Sequence, residues 1–158
     1  MTIAAGEQAL AADVLALKAT RQFFVPIQVG SGGLFSNTGT YARYRLDGAG
    51  DWIAMNFRVP ADFLVLTSVK VLIIPITTGT FDWTATANFG ADGQGYQTHN
   101  TLQSWDGEAG TNLVLKELNI SALCALLAAN DIVGLTFTLD ALATMVAVDV
   151  LGLDVKYA

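Results

Sequence analysis

The stretch FDWTATANF, residues 81–89, alternates apolar and polar side chains without interruption. Its odd positions carry Phe81, Trp83, Ala85, Ala87 and Phe89, and its even positions carry Asp82, Thr84, Thr86 and Asn88. Successive side chains of a β-strand point to opposite faces, so one face of this segment is apolar and the other polar. The pattern predicts a strand that packs one face on a core and turns the other towards solvent.

The same two-residue period recurs along most of the chain. It predicts eight strands, over residues 22–29, 41–46, 51–59, 66–76, 81–89, 112–118, 131–139 and 144–157. Turn-forming pairs such as Asp47-Gly48 lie between them, and no strand–helix–strand rhythm is present. We therefore predict an all-β fold: a single-domain, eight-stranded antiparallel jelly-roll sandwich with one short helix inserted at residues 120–129.

The last predicted strand changes phase in its middle. Its apolar side chains lie at even positions up to Val150 and at odd positions from Leu151 onward. A single inserted residue shifts the faces of a strand in this way, and Gly152 lies at the shift. The sequence therefore predicts a β-bulge at Gly152.

The first residues follow a helical period instead. Leu10, Val14 and Leu17 are spaced i, i+4 and i+7, which predicts a short N-terminal helical arm over residues 1–21 before the sandwich domain of residues 22–158. A helix this short needs a surface to lie on. That surface is either the domain's own core, which the helix would cap, or a neighbouring molecule, and we select Leu10, Val14, Leu17 and nearby Phe24 as partner-binding residues.

The composition excludes two classes of partner. The chain has 158 residues, a net charge of −6 and only eight scattered Lys and Arg residues, whereas a nucleic-acid partner normally requires a basic patch. A membrane-spanning helix needs about 20 mostly apolar residues. The apolar run at residues 64–76 is too short and is interrupted by Thr67, Ser68 and Lys70. We predict no nucleic-acid and no membrane partner.

The low charge content indicates apolar surface hidden between subunits. Charged residues make up 14% of the chain, against about 25% in an average soluble domain. The predicted strand at residues 66–76 is apolar on both faces, which indicates a strand covered on both sides. Because a single sandwich covers only one of these faces, we predict that another subunit covers the second face, at an interface that includes Val69, Val71, Leu72, Ile74 and Ile76.

Residues 89–100, FGADGQGYQTHN, are the stretch where chemistry would be expected. The glycine spacing does not fit a phosphate cradle, and Asp92-Gly93 and the later Asp106-Gly107 are typical of turns. His99 and Cys124 are the only histidine and cysteine, too few for a zinc site. We predict no cofactor, no metal ion and no catalytic residue, and hence a protein that is not an enzyme; a calcium ion in the loops and a glycosidase pair of Asp92 and Asp106 stay open as alternatives.

Aromatic side chains offer a binding surface instead. Tyr96 and Trp105 lie in a polar segment, residues 90–110, that we predict to be a long loop. Exposed aromatic residues commonly anchor interfaces. Tyr96, His99 and Trp105 are therefore predicted to form an exposed recognition loop, the competing reading being that the loop folds back and buries them.

Both ends of the chain resemble virion proteins. The C-terminal stretches NISALCALLAANDIVGLTFTL (residues 119–139) and VAVDVLGLDVKYA (residues 146–158) resemble the closing strands of trimeric jelly-roll domains, of the C1q/TNF-like type and in structural proteins of tailed bacteriophages. The opening MTIAAGEQALAADVLALK is similar to the N-terminal arms of phage virion proteins.

This resemblance implies a homotrimeric virion component assembled in the host cytoplasm. In the role that we predict first, a capsid decoration (cement) protein binds the major capsid protein and stabilises the assembled shell by mass action. The alternative role is the receptor- or carbohydrate-binding head of a tail or head fibre, with a host-surface glycan as its partner.

Overall fold

A computed structural model describes residues 20–158, which form eleven β-strands and one 3-10 turn. The strands are β1 (Arg21–Pro26), β2 (Val29–Ser31), β3 (Leu34–Thr38), β4 (Tyr41–Leu46), β5 (Trp52–Arg58), β6 (Leu66–Pro75), β7 (Gly79–Gly90), β8 (His99–Gly110), β9 (Lys116–Asn119), β10 (Ile132–Ala141) and β11 (Val148–Tyr157). The 3-10 turn is Ser121–Cys124. In this part of the chain no helix is both long and apolar enough to span a membrane.

The strands form two antiparallel sheets. Sheet I contains the order β4-β11-β6-β9 and sheet II the order β5-β10-β7-β8. Strands β4 to β7 and strands β8 to β11 alternate between the sheets as in a jelly roll, whereas β7 and β8 are neighbours in sheet II. Three short strands extend this framework: β3 pairs with β4, β2 pairs with β5, and β1 pairs with β11. The predicted antiparallel β-sandwich is confirmed, whereas the predicted count of eight strands is corrected to eleven.

The core lies between the inner faces of the two sheets. The odd-numbered side chains of residues 81–89 are buried here, and Trp83 lies in van der Waals contact with Phe137 of β10, with ring centroids 5.1 Å apart. Each such large apolar side chain contributes about 1.5–3 kcal/mol when it is buried. The alternation in the sequence thus decides which side chains of the paired strands β7 and β10 face the core.

Strand β8 corrects the prediction of a long loop at residues 90–110. It pairs with β7 from Phe89↔His99 to Gly79↔Gly110, and only residues 91–98 form the connection. The segment is polar because β8 is the edge strand of sheet II, with one face in solvent. A bulge opposite Asp82 is held by the Gly107 N–H, which donates to Asp82 Oδ1 (2.7 Å), and Gly107 has the positive φ (67°) of a turn glycine.

The predicted helix at residues 120–129 is corrected to a single 3-10 turn. Ser121–Cys124 form this turn, and Asn119 Oδ1 accepts from the Ser121 N–H (2.9 Å) at its start. Asp131 Oδ2 then accepts from the Ala128 N–H (2.8 Å), which closes a turn before β10. The side-chain acceptors of Asn119 and Asp131 thus take up backbone donors and favour turns over a longer helix.

The bulge predicted at Gly152 is confirmed. The pairing of β11 with β6 shifts its register between Val150 and Gly152. Gly152 has a φ of 152°, and a Cβ atom there would lie 2.5 Å from the carbonyl oxygen of Val25. Residues 1–19, which include Leu10, Val14 and Leu17, lie outside the described residues, so the helical arm stays a prediction, and Arg21 of that predicted arm already belongs to β1.

Candidate functional site

Sheet I carries an apolar groove of about 390 Å³, whose lining residues come in part from β1 and β4, which pair with neighbouring parts of β11. The alternation of β1 turns Phe23 and Val25 inward and Phe24 outward, beside the bulge of β11. We define the groove by seven of the residues that line it: Phe24, Phe35, Tyr41, Arg43, Leu72, Leu115 and Leu151. Among the described residues that line it there is no aspartate or glutamate.

Three aromatic rings at the groove remain open to solvent. Phe24, Phe35 and Tyr41 are 52%, 61% and 56% exposed. Phe35 is held edge-on against the buried Tyr44, with ring centroids 4.7 Å apart and an interplanar angle of 85°. The three rings therefore project from strands β1, β3 and β4. These strands belong to a packed sheet, and a packed sheet is a more rigid support than a loop.

A buried carboxylate contacts Arg43, one of the groove residues. Asp149 of β11 is fully buried and accepts from Arg45 Nε (2.8 Å), Arg45 Nη2 (3.2 Å) and Thr38 Oγ1 (2.7 Å). The hydrogen bond to Asp149 raises the pKa of Arg45 above its ordinary value. A buried charge is tolerated only when it is paired and hydrogen-bonded, and Asp149 meets both conditions.

Arg43 has an unused donor beside this carboxylate. Its Nε lies 2.9 Å from Asp149 Oδ2, and its side chain is only 8% exposed. Neither Nε nor Nη1 makes a hydrogen bond among the described residues, so the contact of Nε with Asp149 is an ion pair only. Arg43 lines both the groove and an adjoining cleft of about 280 Å³ that Gly32, Gly33 and Arg45 also line. The site therefore combines aromatic faces with an unpaired cationic donor.

The residues predicted for a subunit interface are divided between core and groove. Val69 and Val71 are fully buried in the chain's own core, so their side chains cannot contact a second subunit, and this part of the prediction is wrong. Ile74 is also buried, at 5% exposure. Leu72 lines the groove and Ile76 is partly exposed, so for these two an interface stays a prediction.

The predicted recognition residues do not form one surface. Tyr96 is 78% exposed in the β7–β8 connection, but His99 stacks on Phe89 (4.8 Å) and Trp105 stacks on Trp83 (3.9 Å). His99 and Trp105 are six positions apart on β8, which separates them by about 20 Å. The prediction of a joint exposed loop is corrected, because β8 turns both rings towards the inner side of its sheet.

The other candidates for chemistry are also separated. Asp92 follows β7 and Asp106 lies near the opposite end of β8, about 25 Å away along the strands, so they cannot act as a glycosidase pair. No group of three metal-ligating side chains occurs among residues 20–158. Burial raises the pKa of the Cys124 thiol to about 12, which suits a small core residue. Gly93 has the positive φ (82°) expected of a turn.

Arg43 is a candidate site residue that the sequence analysis did not select, as are Phe35 and Tyr41. Two signals point to it: Arg43 and Arg45 share one face of the stretch YARYRL, and Asp149 interrupts the apolar stretch VAVDVLGL. A lone acid in an apolar strand requires a buried partner. The sequence does not show which cation that partner is, because the partners come from distant strands.

Comparisons with known proteins place the fold but no family. No family model matches the chain, and no curated protein matches it. Among solved structures it is similar to an exo-β-1,3-galactanase from Phanerochaete chrysosporium with galactose (TM-score 0.53, 12% identity), covering 88% of this chain and 29% of that chain. It is also similar to a family 35 carbohydrate-binding module from an environmental isolate (TM-score 0.51, 14% identity), covering 84% of this chain and 95% of that chain. At these identities the likeness shows a shared fold.

Proposed function

We propose that this chain is a carbohydrate-binding β-sandwich whose groove on sheet I holds sugar rings. The observation that carries the proposal is the set of three exposed aromatic rings, Phe24, Phe35 and Tyr41, around a groove that also contains a hydrogen-bond donor. The likeness of the whole fold to a carbohydrate-binding module supports the same function class.

The groove chemistry suits a pyranose ring. Such a ring has an apolar C–H face, which packs on an aromatic side chain, and a rim of hydroxyl groups, which requires hydrogen bonds. Phe24 and Tyr41 offer aromatic rings on which the C–H face can pack. Thr40, Tyr41 and Arg43 offer polar groups that can form hydrogen bonds with the hydroxyl groups. Ligand sites are typically of this kind, mostly apolar with a few polar groups that fix orientation.

The proposed activity is binding without bond cleavage. Glycoside hydrolysis normally needs two carboxyl groups about 5–10 Å apart. Asp149, the carboxylate nearest to Arg43, is fully buried and engaged by both arginines and Thr38. Within the described residues, the groove is therefore equipped to hold a glycan and not to hydrolyse it.

The test is binding of glycans by the intact chain and by groove variants. We expect Phe24→Ala and Tyr41→Ala each to weaken binding about tenfold, since a lost aromatic contact costs on the order of 1 kcal/mol or more. Tyr96→Ala is the matched control, because Tyr96 is an exposed ring outside the groove. Unchanged affinity in both groove variants, or no glycan bound in an array and in calorimetry, contradicts the proposal.

The second candidate is the virion role that the sequence resemblance implies. It is favoured by an exposed apolar run, Leu113, Val114 and Leu115, which continues from the groove to the edge of sheet I. Exposed apolar patches commonly mark protein contacts. If the groove seals a homotrimer or binds a capsid protein, Phe24→Ala will lower the native mass or reduce co-sedimentation with empty capsids when no glycan is present.

A further inference from the structure

We infer that Arg43 is a receptor for an anionic group, so that the groove selects glycans that carry carboxylate or sulfate substituents. This inference rests on the proposed function and adds the charge class of the ligand. It is carried by Arg43, whose Nε and Nη1 make no hydrogen bond within the described residues and whose side chain, more than nine-tenths buried, lines the groove.

The first argument is the balance of charges. Arg43 and Arg45 both lie against Asp149, so two guanidinium groups share one carboxylate. Asp47 is a second counter-charge for Arg45, whereas Arg43 has only its share of Asp149. A ligand anion would give Arg43 a counter-charge of its own in a place where burial has removed much of the water.

The second argument is the use of hydrogen bonds. Oδ1 of Asp149 accepts from Arg45 Nε, and Oδ2 accepts from Thr38 and from Arg45 Nη2. The acceptors of Asp149 are occupied, so Nη1 of Arg43 requires an acceptor from outside the cluster. A carboxylate or sulfate oxygen is the strongest such acceptor, because charge-assisted hydrogen bonds are about twice as strong as neutral ones.

The third argument is the side of Arg43 on which an anion is favoured. Gly32 and Gly33 line the cleft that adjoins the groove at Arg43. A Cβ atom on Gly33 would collide with the Arg45 carbonyl oxygen, and one on Gly32 would collide with the Asp51 carboxylate. The cleft also contains Asp47, whose charge opposes an anion there, so the groove side of Arg43 is the side that favours the anionic group.

The experiment compares ligands that differ only in charge. Galacturonic acid oligosaccharides are titrated by calorimetry beside their methyl esters and beside neutral galactose oligosaccharides, and sulfated galactose oligosaccharides are titrated beside desulfated ones. We expect the acid or the sulfate form to bind about ten- to a hundredfold more tightly than its neutral counterpart, as expected for a hydrogen bond to a charged group. The two arms show which anion is preferred.

The protein side of the experiment uses Arg43→Met with Arg58→Met as the matched control. Arg58 is an exposed arginine of β5 in the other sheet. We expect Arg43→Met to remove the preference for the charged ligand and Arg58→Met to keep it. In Arg43→Met, Asp149 keeps the hydrogen bonds that it accepts from Arg45 and Thr38. Should Arg43→Met fail to fold, Arg43→Lys and the comparison of esterified with free ligands decide the question.

Four outcomes separate the inference from the proposed function. A preference for anionic ligands that Arg43→Met abolishes supports both. Equal affinity for neutral and charged glycans overturns the inference and leaves the proposed function standing. A preference for the anion that survives in Arg43→Met overturns the role of Arg43, and the absence of any glycan binding overturns both.

Discussion

At the scale of single residues, a buried ion cluster joins β3 and β4 to β11, the central strand of sheet I. Asp149 comes from β11, whereas Arg43 and Arg45 come from β4 and Thr38 comes from β3. A buried charge that loses its partner is much less favourable than one that never left water. The cluster therefore orders β3 and β4 against β11 at the same time as it presents Arg43 to the groove.

We expect Asp149→Asn to lower the free energy of unfolding by about 3–5 kcal/mol, because it leaves two partly or fully buried guanidinium groups without their counter-charge. Urea unfolding followed by tryptophan fluorescence measures the change. Asp106→Asn, at an exposed position of β8, is the control and should have little effect. A loss below about 1 kcal/mol in Asp149→Asn would mean that water or the other groups in the cluster solvate the arginines adequately.

At the scale of elements, the bulge of β11 decides where β1 lies. Gly152 pairs with Pro26 of β1 and with Leu72 of β6, and the bulge places Leu151 on the outer face, where it lines the groove. A side chain at Gly152 would meet the ring of Phe24 and the Val25 carbonyl oxygen. The groove therefore depends on a glycine that lets two backbones approach.

Gly152→Ala should destabilise the fold by about 1–3 kcal/mol or more, since the added methyl group overpacks the β1–β11 contact and the φ of 152° is unfavourable for alanine. Thermal unfolding measures the change, and hydrogen exchange should show faster exchange in β1. The control is Gly95→Ala, because the nearest atom to a Cβ atom there is 4.0 Å away. An equal effect in the two variants would argue against a special role of the bulge.

At the scale of the whole molecule, the two sheets of one chain cover each other. The inner faces contribute a continuous core, with Ile53, Val71, Phe81 and Val150 among its fully buried members. This core contains Val69 and Val71, which the sequence had assigned to contacts between subunits. A folded single chain therefore does not require a partner to bury its main apolar surface.

We expect the thermal unfolding midpoint of the intact chain to stay constant over a hundredfold range of protein concentration. The midpoint of an obligate oligomer rises with concentration, because association stabilises only the folded state. Differential scanning calorimetry at several concentrations makes the comparison. A midpoint that rises with concentration would favour the homotrimer and the virion role over an independent binding module.

The sequence was most informative where the local period is strong. β7 and β10 were predicted because their alternation needs only the strand itself, and the bulge at Gly152 was predicted from a phase change within one strand. β8 was missed because an edge strand with a polar outer face has the composition of a loop. The groove was missed because it is built from β1, β4, β6 and β11, which lie apart in the chain.

The amino-acid sequence by itself determined the class of fold, since the alternation of apolar and polar side chains is a local property that dictates which face of each strand is buried. The tertiary structure alone decided which strands pair and which surface stays open. Arg45 and Asp149 are 104 positions apart, and only the antiparallel pairing of β4 with β11 brings them together. The location of the site is a matter of register between distant strands, and register depends on the packing of the whole sandwich.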